Sequence, residues 1–155
     1  MNCRHCDVLL TETFLDLGLA PPSNAYLTAN DLSKPEKYLP LKVMVCTDCW
    51  LVQTEDYAEV DELFRSDYAY FSSTSSSWLT HAEKYAAKLT EMLRLNKNKL
   101  VIEVGSNDGY LLKYFLAAKV SCLGIEPTAS TATAAEKLGI PVLRQFFGET
   151  LGRKL

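Results

Sequence analysis

The chain has 155 residues, 48% hydrophobic and 23% charged, which is enough apolar material for one sizeable core or two small ones and too much for a disordered segment. A formal net charge of -3 and a pI near 5.4 argue against a general nucleic-acid binder, which needs a basic face. The apolar runs are short and "MNCRHCD" has neither the basic flank nor the apolar segment of an export signal, so the sequence predicts a cytoplasmic protein that does not span a membrane.

Residues 1–56 are rich in Pro, Asp and short apolar clusters, and they predict a small, loop-rich module. Its chemistry lies in two CxxC pairs, Cys3-Arg-His-Cys6 and Cys46-Thr-Asp-Cys49, separated by 39 residues. Each pair can present two thiolates from one tight turn, and two such knuckles complete a tetrahedral site for Zn2+. Disulfides are the rival reading, yet a cytoplasmic chain keeps its thiols reduced, and neither pair follows a strand as a thioredoxin-like redox motif would. Metal binding also explains how so few large apolar residues fold, because closing a four-thiolate site contributes on the order of 10 kcal/mol. Four thiolates leave no open position for substrate, so the ion is structural. His5, inside the first knuckle, is a surface or neighbouring group once four thiolates satisfy the ion.

Residues 57–97 form a connecting segment. In "SDYAYFSSTSSSWLTHA" (66–82), Tyr68 and Tyr70 read equally as packed aromatics and as phenols facing a ligand. The serine run 72–77 reads as a linker or, bracketed by Phe71 and Trp78, as an ordered loop at the entrance to a site; the brackets favour the loop. From Trp78 to Leu95 the apolar positions Leu79, Ala82, Tyr85, Ala86, Leu89, Met92 and Leu93 line one face of an amphipathic helix, capped by Ser75, Ser76 or Ser77. His81 falls on its polar side, where it can line a cleft or simply face solvent. "RLNKNK" (94–99) reads as a solvated helix end, not a basic patch.

Beyond it the types alternate: strand 100–105, helix from Asp108 to Lys119, strand 121–127, helix 129–139 ended by Gly139 and Pro141, strand 141–147. This predicts an α/β fold in which residues 98–155 make a parallel, Rossmann-like sheet. Cys122 reads as a buried hydrophobe. Only three strands precede "GETLGRKL", and nucleotide-binding sheets of this kind usually have about five or more, so the expectation is the first part of a larger domain.

The turn after the first of these strands, "VIEVGSNDGY" (101–110), carries the candidate cofactor residues Glu103, Gly105, Asn107, Asp108 and Gly109. A glycine directly after such a strand lets the backbone approach a ligand. The dinucleotide fingerprint GxGxxG wants a glycine where Asn107 stands, which disfavours NAD. Glu126 ends the next strand, 17 residues past Gly109, where a carboxylate can accept from both ribose hydroxyls. Glu103, Asp108 and Glu126 would repel a pyrophosphate and favour a ligand with ammonium and sulfonium groups, as S-adenosylmethionine has. The plain alternative makes the glycines turn residues and the acids caps, with Asp108 in the first turn of the helix.

"ExGSNDGYLL" (Glu103 to Leu112) followed by "GIEP" (Gly124 to Pro127) resembles motifs I and II of the class I S-adenosylmethionine-dependent methyltransferases, in the form used by nucleotide-sugar C-methyltransferases. That family also carries an amino-terminal four-cysteine zinc-binding domain and then a "YxYxSS" segment, like Tyr68 to Ser73 here. "LDLGLAPPSNAYL" (Leu15 to Leu27) falls between the cysteine pairs in the same order. The resemblance implies Zn2+ on Cys3, Cys6, Cys46 and Cys49, S-adenosylmethionine at the glycine turn, and a 4-keto-deoxy nucleotide sugar as small-molecule substrate. It further implies proton abstraction next to the ketone and methylation of the resulting enolate, with the principal base a histidine beyond residue 155. Tyr68, Tyr70 and His81 would then face the substrate, and the 155 residues alone would not turn over. A different class of protein stays open: a zinc-ribbon interaction module fused to a βαβ unit without catalysis. A nicotinamide-linked reductase of the same sugars is weakened by Asn107. The sequence fixes no oligomeric state and neither the sugar nor the carbon methylated.

Overall fold

A computed structural model gives the structure of the protein and describes residues 1–65 and 67–155; Ser66, the first residue of the tyrosine segment, lies outside them. Two compact units result, Met1–Leu63 and Phe64–Leu155.

The first unit is a three-stranded antiparallel sheet in the order β1 (Glu12–Ala20), β2 (Leu39–Val45), β3 (Val52–Thr54), followed by the short helix α1 (Val60–Leu63). The expectation of a loop-rich module therefore missed a nine-residue strand. Two register irregularities, between Thr13 and Leu15 and between Asp16 and Leu19, break the alternation that would have announced β1. At the second, Gly18 takes φ +75° and donates its N–H to Asp16 Oδ1. Nor does burial mark the strand, since Phe14, Leu15, Leu17 and Leu19 are all exposed. The buried core is small: Cys3, Leu10, Met44 and Cys46, with Cys6 and Cys49 packed against them. A domain with so little apolar burial needs a staple, and the cysteines stand where one would act.

The second unit opens with the tyrosine segment and a 3-10 turn (Ser72–Thr74), then α2 (Ser76–Met92). Ser75 caps α2, its Oγ accepting from Trp78 N–H at 3.3 Å. The helix buries Ala82 and Ala86 with Leu89 beside them, the narrow stripe at spacings of four and three. Tyr85, Met92 and Leu93, expected on that stripe, are exposed; the small alanines let the helix lie close, and only the centre of the apolar face is covered.

Three parallel strands follow in the order β4 (Leu100–Val104), β5 (Ser121–Ile125), β6 (Val142–Leu143), linked by α3 (Leu112–Ala117) and α4 (Ala129–Lys137), with a final turn of helix α5 (Glu149–Gly152). One sheet face, with Val101 and Cys122, packs against Ala86, Leu112, Phe115, Ala135 and Ile140. Cys122 is buried at 6% exposure, as its apolar strand predicts. Two boundaries differ from the sequence pattern. α3 starts at Leu112 and not at Asp108, because Asn107 (φ +50°) and Gly109 (φ +78°) are left-handed and the chain turns through them before it can coil. β6 is only two residues long, and "RQFF" leaves the sheet.

Candidate functional site

In the first unit the two CxxC turns are copies of one another. Cys3 N–H donates to Val8 C=O at 2.8 Å and Cys46 N–H to Leu51 C=O at 3.0 Å. Asp7 N–H donates to Cys3 C=O and Trp50 N–H to Cys46 C=O, with Asp7 and Trp50 both at φ +62°. Antiparallel bridges close each knuckle, Asn2 with Leu9 and Val45 with Val52. The backbone of each turn also aims N–H groups at sulfur: His5 N–H and Asp48 N–H each lie 3.4 Å from the Sγ of Cys3 and Cys46. Gln53 Nε2 adds a second donor to Cys3 Sγ at 3.3 Å.

These donors favour thiolate over thiol. Hydrogen bonds from the backbone of Cys6, then of His5, and from the Gln53 side chain hold the Cys3 thiol down at about 6 against the effect of burial. Cys46 is likewise lowered, by the backbone N–H groups of Cys49 and Asp48. All four sulfurs lie within 4.8 Å of one another, with Cys3 to Cys49 at 3.6 Å and Cys6 to Cys46 at 3.5 Å. Sulfurs placed tetrahedrally at about 2.3 Å from an ion stand about 3.8 Å apart, so the quartet fits Zn2+ with no fifth group required.

In the second unit the turn at the end of β4 is a dense knot. Gly105 N–H donates to Ile125 C=O at 2.8 Å, which ties the turn to β5. Its Cα faces open space: a methyl group added there would meet nothing within 4 Å, and its φ is +69°. Gly109 differs, because a Cβ there would come 2.5 Å from Ile140 Cδ1. Gly105 is thus the glycine that leaves room for a ligand, and Gly109 the one that lets the turn pack. Gly124 serves similarly, since a Cβ at that position would strike Ser106 Oγ.

Glu126 follows β5 at 5% exposure. Its Oε2 accepts from Asn107 N–H at 2.9 Å and its Oε1 from Thr128 N–H at 2.9 Å and from the Thr128 hydroxyl. It clamps the turn from below, and the remaining lone pairs of its oxygens are available to a ligand. Glu103 lies on the helix-covered face of β4, opposite Gly124. Burial pushes its carboxyl up to about 7; the Tyr110 hydroxyl works in the other direction, and the charges of Asp108 and Glu126 add to the rise. Among the described residues, Glu103 Oε2, Ser106 Oγ and Asp108 Oδ1 are buried without a hydrogen-bond partner.

Against this turn lies an open cavity of about 340 Å3, within the range of small-molecule sites. Gly105, Asn107 and Glu126 line it together with Tyr68 and Tyr70, and Phe64, Phe146 and Phe147 supply an aromatic wall. Phe64 packs edge-on to Phe146, ring centroids 6.3 Å apart, and against Tyr68 at 5.5 Å.

Residues 3–64 match the family model of a zinc binding domain, Methyltransf_13. The C-methyltransferase NovU of Streptomyces niveus is 31% identical over 153 residues, 99% of this chain. Nearly the whole chain is thus similar to a C-methyltransferase. It spans 36% of the length of NovU, so its likeness is to one part of that enzyme, the part that here includes both the four-cysteine module and the glycine turn.

The expected site residues thus fall into groups. Cys3, Cys6, Cys46 and Cys49 converge. Gly105, Asn107, Glu126, Tyr68 and Tyr70 share one cavity, whereas Glu103, Asp108 and Gly109 lie outside its lining. Asp108 is not in the first turn of a helix; its Oδ2 accepts from Ser73 N–H at 3.1 Å. His81 does not line the cavity either: it is exposed on α2 and stacked between Trp78, at 5.2 Å, and Tyr85, at 6.3 Å. Sequence reasoning missed Phe146 and Phe147 by assigning them to a strand; paired aromatics after the short apolar run "PVL" were the available signal. Tyr110 and Ser130 were missed as well, and neither carries a local signal.

Proposed function

We propose that the cavity beside Gly105 binds S-adenosylmethionine and that the protein acts in C-methylation of a keto-deoxy nucleotide sugar. The observation that carries this reading is the joining of one buried carboxylate, Glu126, to an apolar aromatic wall around a glycine whose Cα is open. A nucleoside needs that pair of surfaces: a carboxylate for ribose hydroxyls and flat apolar groups for the base. When bound, S-adenosylmethionine supplies an electrophilic methyl group on a sulfonium.

The residues of this chain bind and orient. Gly105 admits the ligand to the backbone of the turn, Glu126 accepts from ribose, and Phe64, Phe146 and Phe147 cover the base. Asp108, with its unpartnered oxygen, and Glu126 make the surroundings of the turn hostile to a pyrophosphate and favourable to a cationic ligand. Tyr68 and Tyr70 line the same cavity and can present phenol groups to the substrate as hydrogen-bond partners. Zn2+ on the four cysteines holds the first unit together, and the closed thiolate set gives it no substrate position.

Calorimetric titration tests the reading. S-adenosylmethionine should bind saturably and NAD should not, and Glu126→Gln should weaken binding about tenfold or more, the cost of mispairing a buried polar contact. Binding of NAD instead would overturn the proposal in favour of a nicotinamide-linked reductase, and binding of neither ligand would favour a module without catalysis.

A further inference from the structure

The Asn107 side chain faces away from the turn it belongs to. Its Oδ1 accepts from Ser72 N–H at 2.9 Å, and its Nδ2 donates to Tyr70 C=O at 3.0 Å. The amide therefore spans Phe71 as a neighbouring strand would, giving one donor and one acceptor to the two peptide groups that flank it. Asp108 Oδ2 takes the next amide, Ser73 N–H, at 3.1 Å. Ser130 Oγ, from α4, donates to Tyr68 C=O at 2.9 Å. Three side chains thus fasten the backbone of residues 68–73, which contains both cavity tyrosines, to the turn and to α4. Meanwhile the backbone of Asn107 is fixed by Glu126, through the bond from its N–H to Oε2.

Only asparagine and glutamine carry a planar fork with a donor and an acceptor, and of the two the short asparagine is also tolerant of the left-handed φ of +50° found here. The glycine that a dinucleotide fingerprint would place at 107 could adopt the turn but could hold nothing. The bracket accounts for an asparagine at this position.

We infer that Asn107 and Asp108 are positioning residues, which act through the Tyr68–Ser73 segment and link occupancy of the glycine turn to the presentation of Tyr68 and Tyr70. The inference rests on the functional reading above. A ligand that rigidifies the turn at Gly105 and Glu126 rigidifies the bracket, and the tyrosines are then set for the second substrate. Binding becomes ordered, with S-adenosylmethionine first and the nucleotide sugar second.

Amide hydrogen exchange of the zinc-loaded chain reads the bracket directly, because Ser72 and Ser73 N–H are its donors. Asn107→Gly should speed exchange of Ser72 by about tenfold, the worth of one buried hydrogen bond. Ser130→Ala leaves the turn untouched and should free the Tyr68 end alone, seen as sharpening of the Tyr68 ring resonances. In the unaltered chain, saturating S-adenosylmethionine should slow Ser72 and Ser73 by about fivefold or more, the lower range of site-to-site coupling. Unchanged Ser72 exchange in Asn107→Gly would overturn the bracket. Bound S-adenosylmethionine without any slowing would overturn the link. If no S-adenosylmethionine binds, the functional reading and the link fall together, and the bracket is still decided by the exchange of Ser72 in the free chain.

Discussion

Gly105 and Gly109 look interchangeable in "GSNDG", yet their surroundings set them apart. At Gly105 a methyl group costs only the left-handed backbone, on the order of 1 kcal/mol. At Gly109 the same methyl also collides with Ile140 and Ala135, so Gly109→Ala should lower stability by about 2–4 kcal/mol. Denaturant titration of the two variants checks this: Gly109→Ala loses fold, and Gly105→Ala keeps most of the fold but loses S-adenosylmethionine. Glu103 makes a pH-dependent prediction. Its folded pKa of about 7 lies above the ordinary 4.5, so the fold prefers the protonated acid. That contribution is fully present below pH 4.5 and is lost as pH rises through 7. Glu103→Gln keeps the neutral shape at every pH, and it should be near neutral at pH 5 and stabilising by roughly 2–3 kcal/mol at pH 8. Thermal unfolding at the two pH values decides, and a variant that is equally affected at both contradicts the buried-acid account.

The elements of the second unit were largely legible because each has a local cause. Alternation of apolar runs with helical spacing announces β4, α3, β5 and α4, and Ser75 lies where the cap of α2 is needed. Its replacement by Ala should cost α2 about 1 kcal/mol, measurable by denaturant unfolding. The zinc knuckles were legible to the residue, since spacing within a tight turn is itself the geometry. What stayed hidden depends on distant partners. The bulged and exposed strand β1 has no clean period; the start of α3 is delayed by left-handed residues that composition does not mark; and "RQFF" is apolar enough for a strand but lies beside a cavity. Of the candidate site, the cysteine quartet and Glu126 could be read from spacing. The roles of Asn107 and Asp108 could not, because their partners, Tyr70, Ser72 and Ser73, sit some 35 residues away in the chain.

At the scale of the molecule, two compact units rest on different physics. The second has a continuous apolar core around Phe115 and Leu112, whereas the first buries little beyond its cysteines. A chelator should therefore melt the β1–β3 sheet and leave the amides of β4 and β5 protected against exchange; retention of the first sheet in metal-free, reduced protein would contradict a structural ion. Among the described residues no helix is long and apolar enough to cross a membrane. In the proposed function, the glycine turn, with Glu126 and the phenylalanine wall, is the place where S-adenosylmethionine binds. Residue-resolved NMR titration of the zinc-loaded chain tests it most directly. Gly105, Glu126 and Phe146 should shift saturably with S-adenosylmethionine and not with NAD. Shifts confined to other residues, or the same response to NAD, would contradict it.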